Sequence, residues 1–323
     1  MRVEEDTMRV LVTGAFGYVG RAVVPRLLAA GHQVVAVTRD AGRAPAGGQV
    51  HVVEAFLDDR ERLRAEVARV DAVCHLAALT RVRESFARPD EYRAVNVGGT
   101  VTLLDLLAER RQASGTAIPF VFASTAAVYG APERQPIAED TEPAPASPYG
   151  QSKLDAENEV RRGAAKGEIG AVVLRAFNVA GSVASFGDPD ETRIIPRAVL
   201  AAAGLRPPLA VNGDGSAVRD FVHVDDLARA YVLALGACRP GGFELYNVGA
   251  TGASVRDIIA AVRRVTGREV PVVHNPPQPE VPVLIADTTR IRGELGWTAE
   301  RSRLDTIITD TWTAMSRSVG ALG

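Results

Sequence analysis

The sequence is poor in cysteine and lysine, and it has no long apolar run. Its two cysteines, Cys74 and Cys238, are too few and too far apart for a disulfide scaffold. The five histidines, His32, His51, His75, His223 and His274, are scattered, so no zinc site is expected. No stretch of about 18 apolar residues occurs, which excludes a membrane-spanning helix. The first seven residues are acidic and run straight into a strand-like segment, which does not read as a signal peptide. They read instead as a tail before a second beginning at Met8-Arg9-Val10. A net charge of -2 offers no basic surface to nucleic acid or to a membrane. The expectation is a soluble, cytoplasmic protein.

Lysine is the oddest shortage. Of the 37 cationic residues only Lys153 and Lys166 are lysines. Where nearly every cation is arginine, a lysine is either an accident or a site that wants a compact ammonium of adjustable pKa. What remains is ordinary globular material: 323 residues, 46% apolar, 24% charged, with 30 glycines, enough for one large domain or two packed ones.

The first half alternates β-branched runs with amphipathic stretches. Strands are predicted at Arg9–Thr13, 33–37, Val50–Glu54, 71–76, 118–123 and 171–175. Helices are predicted from the glycine turn to about Ala30, closed by Gly31, then at 59–70, as one long helix over 90–112, and from Tyr149. Pro25 predicts a bend or a late start in the first helix. Such alternation implies right-handed crossovers and a parallel sheet covered on both faces, an α/β doubly wound (Rossmann-like) fold. Beyond Asn178 the rhythm loosens into shorter helices at about 192–203, 224–236, 254–266 and 303–318, predicting a smaller, irregular α/β C-terminal substrate domain. The boundaries expected are 1–177 for a dinucleotide-binding domain, with a return of the chain around 220–248, and 178–323 mostly for substrate.

Between the first strand and first helix lies Thr13-Gly14-Ala15-Phe16-Gly17-Tyr18-Val19-Gly20. Gly14 permits a tight turn, Gly17 lets backbone approach a pyrophosphate, and Gly20 lets helix and strand close up; the anion would rest on the helix N-terminus. The end of the second strand reads Thr38-Arg39, with Asp40 beyond. Arginine can pair with a 2'-phosphate where a carboxylate would repel it, so NADP(H) is slightly favoured over NAD(H).

Tyr149-Gly-Gln-Ser-Lys153 sets a phenol and an ammonium one helical turn apart on one face. A free phenol has a pKa of about 10, too high for a base at neutral pH, and a fixed neighbouring cation favours the phenolate. Ser124-Thr125 ends the preceding strand, where a hydroxyl can bond the reacting oxygen and relay its proton.

With these motifs, Ser124-Thr-Ala-Ala-Val-Tyr-Gly130, Ser147-Pro-Tyr-Gly-Gln-Ser-Lys153, Phe177-Asn178 and Val218-Arg-Asp-Phe-Val-His-Val224, the chain resembles the extended short-chain dehydrogenase/reductases, specifically the UDP-glucose 4-epimerase-like nucleotide-sugar enzymes. The likeness runs down to Glu294-Leu-Gly-Trp297. It implies that Tyr149 takes the proton of a sugar 4-hydroxyl while hydride passes to the nicotinamide, and that Lys153 holds the nicotinamide ribose. Thr125, or else Ser124, bridges the sugar oxygen. It also implies cofactor contacts by Phe16, Tyr18 and Val19 of the turn, by Leu57 after the third strand, by Ala77 and Ala78 following His75, and by Asn96. On the substrate side it implies Asn178 and Arg219 near the diphosphate, although Arg219-Asp220 also reads as an internal ion pair.

Several positions depart from the pattern. Ala126-Ala127 replace the Asp-Glu of the dehydratase relatives, which excludes dehydration. The segment 277–280 lacks the phosphate-side arginine of the epimerases, which Arg193 is placed to replace. Arg83 stands where the 4-epimerase has a small glycine near the sugar. The leading expectation is a nucleotide-diphosphate sugar epimerase working through a transient 4-keto sugar. The alternatives are an NADPH-dependent 4-ketoreductase, a non-sugar alcohol dehydrogenase and a catalytically silent dinucleotide sensor. The resemblance further implies a homodimer paired through the 90–112 and 149–165 helices, with Leu103, Leu104, Leu106 and Leu107 serving either that interface or the core.

Overall fold

The structure, a computed structural model, describes residues 7–45, 49–278 and 281–319; of the tail expected at 1–7, only Thr7 falls within them. In chain order the elements begin β1 (Arg9–Thr13), α1 (Gly20–Ala29), β2 (Gln33–Thr38), β3 (Val50–Glu54), α2 (Arg60–Val67), β4 (Ala72–His75), α3 (Val82–Ala87), α4 (Pro89–Arg93) and α5 (Gly99–Ser114). They continue β5 (Ile118–Thr125), α6 (Pro148–Ala165), β6 (Ile169–Ala176), β7 (Asn178–Ala180), β8 (Ser182–Val183), β9 (Phe186–Gly187), α7 (Ile194–Ala202), β10 (Leu209–Asn212) and β11 (Val218–His223). The last are α8 (Val224–Ala237), β12 (Phe243–Val248), β13 (Thr251–Ser254), α9 (Val255–Thr266), β14 (Val272–Asn275), β15 (Val283–Leu284), α10 (Thr289–Leu295) and α11 (Leu304–Val319).

The chain forms two compact units. The first holds residues up to Gly130, Thr141–Arg175 and Ala228–Tyr246; the second holds Ala131–Asp140, Ala176–Leu227 and the chain from Asn247 onward. A parallel seven-stranded sheet in the order β12-β6-β5-β4-β1-β2-β3 organises the first unit. Such a sheet is covered on both faces, which is why its strands read as unbroken apolar runs such as Val10-Leu-Val12 and Val34-Val-Ala-Val37. Strand order reverses between β1 and β4, the switch point at which open α/β sheets bind ligands beyond their carboxyl ends. The core gathers Leu11, Val35, Val73, Phe120, Phe122, Val160 and Val173.

Leu103, Leu104, Leu106 and Leu107 belong to this same core and are at most 7% exposed. Of the two uses expected for them, the structure takes the core.

The second unit packs α7, α9 and α11 around Ile195, Val199, Phe221, Ile258, Val262, Ile307 and Ile308. Its strands form small sheets: β11 with β13, β15 and β7, and β10 with β14.

One expectation gives way, and so does one of the two alternatives for Pro25. The single helix over 90–112 is instead α4, a π-turn over Ala94–Gly98, and α5. The extra residue of the π-turn carries buried Asn96, whose side chain is bound to groups outside its own helix. In α1 no late start occurs, since the helix opens at Gly20 and runs through Pro25, whose ring is on the exposed side.

Candidate active site

The turn after β1 is built as its glycines suggest. Gly14 has φ +66°, and a Cβ there would lie 2.9 Å from the Ala77 nitrogen. A Cβ on Gly20 would run into the carbonyl oxygens of Gly14 and Ala15. The close approach of turn to helix therefore requires glycine at both places, and no side chain caps the helix start at Val19. A tight, uncapped glycine cradle at a helix N-terminus suits a pyrophosphate, so these residues fit a dinucleotide. Tyr18 and Val19 are half-buried, whereas the Phe16 ring is packed away at 3% exposure and presents its carbonyl to Arg21 Nε.

A buried polar chain ties this turn to the neighbouring crossover. Thr13 Oγ1 accepts the N–H groups of Leu76 and Ala77, both at 3.1 Å, so its own proton goes to His75 Nδ1 at 2.7 Å. His75 then carries its proton on Nε2, 3.0 Å from Thr100 Oγ1, which donates onward to the Asn96 carbonyl at 2.6 Å. Burial, and after it the Lys153 charge, push the His75 pKa down to about 3, so the ring is neutral as this bonding demands. Ala77 and Ala78, the expected cofactor contacts, follow directly and are half-buried.

Asn96 is fully committed to the protein. Its Oδ1 accepts from Leu79 N at 2.8 Å, and Nδ2 donates to Leu79 O at 3.0 Å and to Ser152 Oγ at 2.9 Å. It joins the loop after β4 to the residue beside Lys153. Leu57, half-buried, lies against the Cα of Gly99, where a Cβ would meet its side chain.

The phenol and the ammonium lie on the buried face of α6. Ser147 caps this helix by accepting from Gly150 N at 3.1 Å, and Pro148 occupies its first turn. A Cβ on Gly150 would stand 2.6 Å from the Ala127 carbonyl, so glycine lets the start of α6 close onto the turn following β5. Tyr149 packs edge-on against Tyr92 with ring centroids 6.3 Å apart. Lys153 is 3% exposed, with Nζ 4.1 Å from the centroid of the Phe122 ring. Burial pushes its pKa down to about 7, against the pull of Glu157.

The two hydroxyls ending β5 are distinguished. Ser124 is buried and bonds through Oγ to the Glu157 carboxylate. Thr125 is half-buried, and its Oγ1 accepts the Ala127 N–H at 3.2 Å. Sequence reasoning missed Glu157 and Arg175, although Arg175 interrupts the apolar run Ala171-Val-Val-Leu-Arg-Ala176. A cation in a buried strand requires a nearby carboxylate, and Glu157 supplies it.

At the end of β2, Thr38 Oγ1 accepts the Asp40 N–H at 3.2 Å, and the Asp40 carboxylate caps Gly42 at 2.9 Å; Arg39 is exposed. Arg21 reaches the same loop, donating to the Arg43 carbonyl at 2.8 Å. Of the substrate-side expectations, Arg83 is exposed on α3 in the first unit. The others belong to the second unit. Asn178 donates to Asp220 O at 2.8 Å, and Arg219 donates to the carbonyls of Val218 and Val281, both at 2.9 Å. The Asp220 carboxylate accepts from Ala250 N and Ala286 N. Arg193 pairs with Asp188 at 3.2 Å and with Asp190 at 3.8 Å. Within the 277–280 segment, Pro279 and Glu280 lie outside the described residues. Among the described residues there is no group of His, Cys, Asp and Glu able to hold a metal ion, and no helix is long and apolar enough to cross a membrane.

A switch-point glycine cradle beside a buried Tyr–Lys helix defines an extended short-chain dehydrogenase/reductase. The chain belongs to the NAD dependent epimerase/dehydratase family, which it matches over residues 10–249. It is 40% identical to the UDP-glucose 4-epimerase of Azospirillum brasilense, across 98% of this chain and 95% of that protein. A UDP-glucose 4-epimerase from Stenotrophomonas maltophila, solved with bound NAD and formylated UDP-arabinopyranose, shares the fold with a TM-score of 0.88. It is 35% identical, covering 97% of this chain and 100% of that one. The UDP-glucose 4-epimerase of Brucella ovis, solved with NAD, gives a TM-score of 0.86 at 34% identity over 94% and 98% of the two chains. Both solved relatives hold NAD, so the slight preference for NADP(H) drawn from Thr38-Arg39 has no counterpart in them.

Proposed function

We propose that this protein is a nucleotide-sugar 4-epimerase acting on a UDP-sugar through a transient 4-keto sugar. The observation that carries the reading is the placement of Tyr149 and Lys153 on the buried face of α6, which closes onto the turn after Thr125 in the unit bearing the glycine cradle. The UDP-sugar is supported by the relatives' own substrates. A nicotinamide dinucleotide, when bound, supplies reversible two-electron oxidation of the alcohol. Gly14, Gly17 and Gly20, with Tyr18, Val19 and the Phe16 backbone, would cradle its pyrophosphate. Thr38, Arg39 and Leu57 would flank its adenosine, and Ala77 and Ala78 its nicotinamide side.

The rest is the work of the chain's own side chains. Tyr149 as phenolate takes the proton of the sugar 4-hydroxyl and returns it after the keto sugar has turned. The Lys153 ammonium makes that phenol acidic and holds the cofactor ribose. Thr125 bridges the sugar oxygen: its Oγ1 accepts from Ala127 and keeps its own proton to donate, while Ser124 is engaged by Glu157. Asn96 acts by position, holding Ser152 beside Lys153. Asn178, Arg193 and Arg219 would face the diphosphate, and Arg83 the sugar. The first unit is thus read as the dinucleotide-binding domain and the second as mainly the substrate domain.

NAD is taken as the cofactor, in line with the solved relatives. NADP(H) is a second reading, favoured by the exposed Arg39 at the head of the loop whose Arg43 carbonyl Arg21 reaches. The pKa of Arg21 is lowered by burial and then by Arg43, and a phosphate would relieve that cationic crowding. Two buried free thiols fit a reducing compartment, hence the cytoplasm. The homodimer is proposed as well, and solution mass measurement tests it.

The decisive experiment incubates the protein with UDP-glucose and follows the sugar and the cofactor absorbance together. Interconversion to the 4-epimer without net absorbance change is expected, and Tyr149→Phe should lower it by about 10²–10⁴-fold. Stoichiometric consumption of NADPH on a 4-keto sugar would replace this reading with the ketoreductase. Turnover surviving Tyr149→Phe would remove the assigned base.

A further inference from the structure

Behind the reacting residues lies a buried polar line that the proposed roles leave unused. Tyr149, Lys153 and Glu157 follow at intervals of four on the buried face of α6. Glu157 is 2% exposed and receives three groups: Ser124 Oγ, Arg175 Nε at 3.0 Å on one oxygen, and Arg175 Nη2 at 2.6 Å on the other. Arg175, 3% exposed on β6, is stacked with its guanidinium carbon 4.6 Å from the centroid of the Tyr129 ring. Its Nη1 has no hydrogen-bond partner.

An arginine and a glutamate in a core are together worth little to stability, since desolvation consumes most of their attraction. What their placement does achieve is connection. Glu157 joins α6 to the strand end carrying Thr125 and sets a negative charge one helical turn from Lys153.

We propose that Glu157 is a positioning residue of the epimerase reaction, clamping Ser124 so that Thr125 is fixed at the end of β5 and supplying the counter-charge that keeps Lys153 an ammonium. This rests on the Tyr149–Lys153 reading above. The other titratable groups around the line are Tyr92 on α4, edge-on to Tyr149, His75 on β4, held neutral, Arg175 on β6, Tyr129 after β5, and Tyr231 on α8; burial raises the pKa of Tyr92 and Tyr231. The charge on Lys153 is thus balanced by Glu157, whose carboxylate is shared with Arg175 behind it. Direct repulsion of the phenolate by Glu157 is the weaker influence, because the two are two turns apart, about 12 Å along the axis, and Arg175 offsets it.

The test reads the phenolate directly. The ultraviolet titration of Tyr149 is taken as the difference between each protein and the same protein carrying Tyr149→Phe, alongside kcat against pH. Glu157→Gln should raise the Tyr149 midpoint and the acid limb of kcat by about one pH unit or more, with KM for the UDP-sugar unchanged. Arg175→Met should move both in the opposite direction. A merely structural pair would shift neither, or shift both variants alike, and either result overturns the proposal. If neither variant folds, Ser124→Ala decides: a several-fold fall in kcat at constant KM supports the clamp, and wild-type kcat refutes it. The titration needs no turnover, so a wild-type protein inactive on UDP-sugars would sink the functional reading while leaving this one to its own result.

Discussion

Asn96 and Ser152 are joined by a hydrogen bond of 2.9 Å, side chain to side chain, across 56 residues of sequence. The bond couples a π-turn ahead of α5 to the residue before Lys153, and the same amide holds both backbone groups of Leu79. Asn96→Ala leaves the part-buried N–H and C=O of Leu79 without this partner and Ser152 Oγ with its bond to the Tyr149 carbonyl alone, a loss of about 1–3 kcal/mol. We expect a lower Tm and a lower kcat in that variant. Asn96→Asp, which keeps the acceptor for Leu79 N–H, should be intermediate in both. If Asn96 instead served only by touching the cofactor, thermal melting without cofactor would show no change.

Lys153 is expected to trade stability for activity. Burial lowers its pKa from 10.5 to about 7, so the folded state binds this proton less readily than the unfolded chain does. Its contribution to stability is present above about pH 10.5 and is lost as the pH falls toward 7. Near neutrality the group therefore opposes folding. Lys153→Met should abolish turnover and raise the Tm at pH 7 by about 1.5 °C or more, some 1 kcal/mol for a chain this long. An unchanged or lower Tm in calorimetry would contradict this.

His75 sets an acid limit. Its folded pKa of about 3 lies below the ordinary value of 6.5, so the unfolded chain takes up the proton first. The stability it contributes is complete above about pH 6.5 and drains away as the pH falls toward 3, with a slope of up to about 1.4 kcal/mol per pH unit. His223, whose pKa is lowered chiefly by burial, acts in the same sense. Denaturant unfolding between pH 7 and pH 4 should show this loss, and His75→Asn should flatten it while lowering stability at pH 7.

Gly20→Ala tests the cradle. The added methyl meets the backbone oxygens of Gly14 and Ala15, which can yield only if the turn itself shifts. NAD affinity measured by calorimetry should fall at least about tenfold, ~1.4 kcal/mol. Gly31→Ala is its control, since a Cβ there meets nothing within 4 Å. Its positive φ of 88° should lower the Tm while leaving NAD affinity near wild type.

Thr125 and Ser124 should separate in the same assay. Thr125→Ala removes the hydroxyl proposed to bridge the sugar oxygen and is expected to cost about 10²-fold in kcat, more than Ser124→Ala. Equal losses would return the choice between the two hydroxyls to where the sequence left it.

Local chemistry made much of this legible from the sequence. β1 and β3 end at the residues expected, because short β-branched runs bounded by glycine or acidic turns have few other ways to fold. The glycine cradle and the Tyr149–Lys153 spacing follow from φ and helical period alone. The break at 94–98 was not legible, because the apolar and polar pattern runs through it unchanged and the cause is a side chain bonding elsewhere. Val82–Ala87 likewise forms a helix that its pattern did not announce.

The sequence by itself determined the strand–helix alternation of the first unit, apart from α3 and the break ahead of α5, with the glycine turn, the phenol and the ammonium, since each depends on residues within a few positions of one another. Only the tertiary structure decided which hydroxyl of β5 is engaged, that Asn96 is fully bonded within the protein, that the α5 leucines belong to the core, and that Glu157 and Arg175 meet behind the lysine. Those outcomes depend on groups 17 to 56 residues apart, brought together by closure of the sheet and its helices, and no local spacing records such encounters.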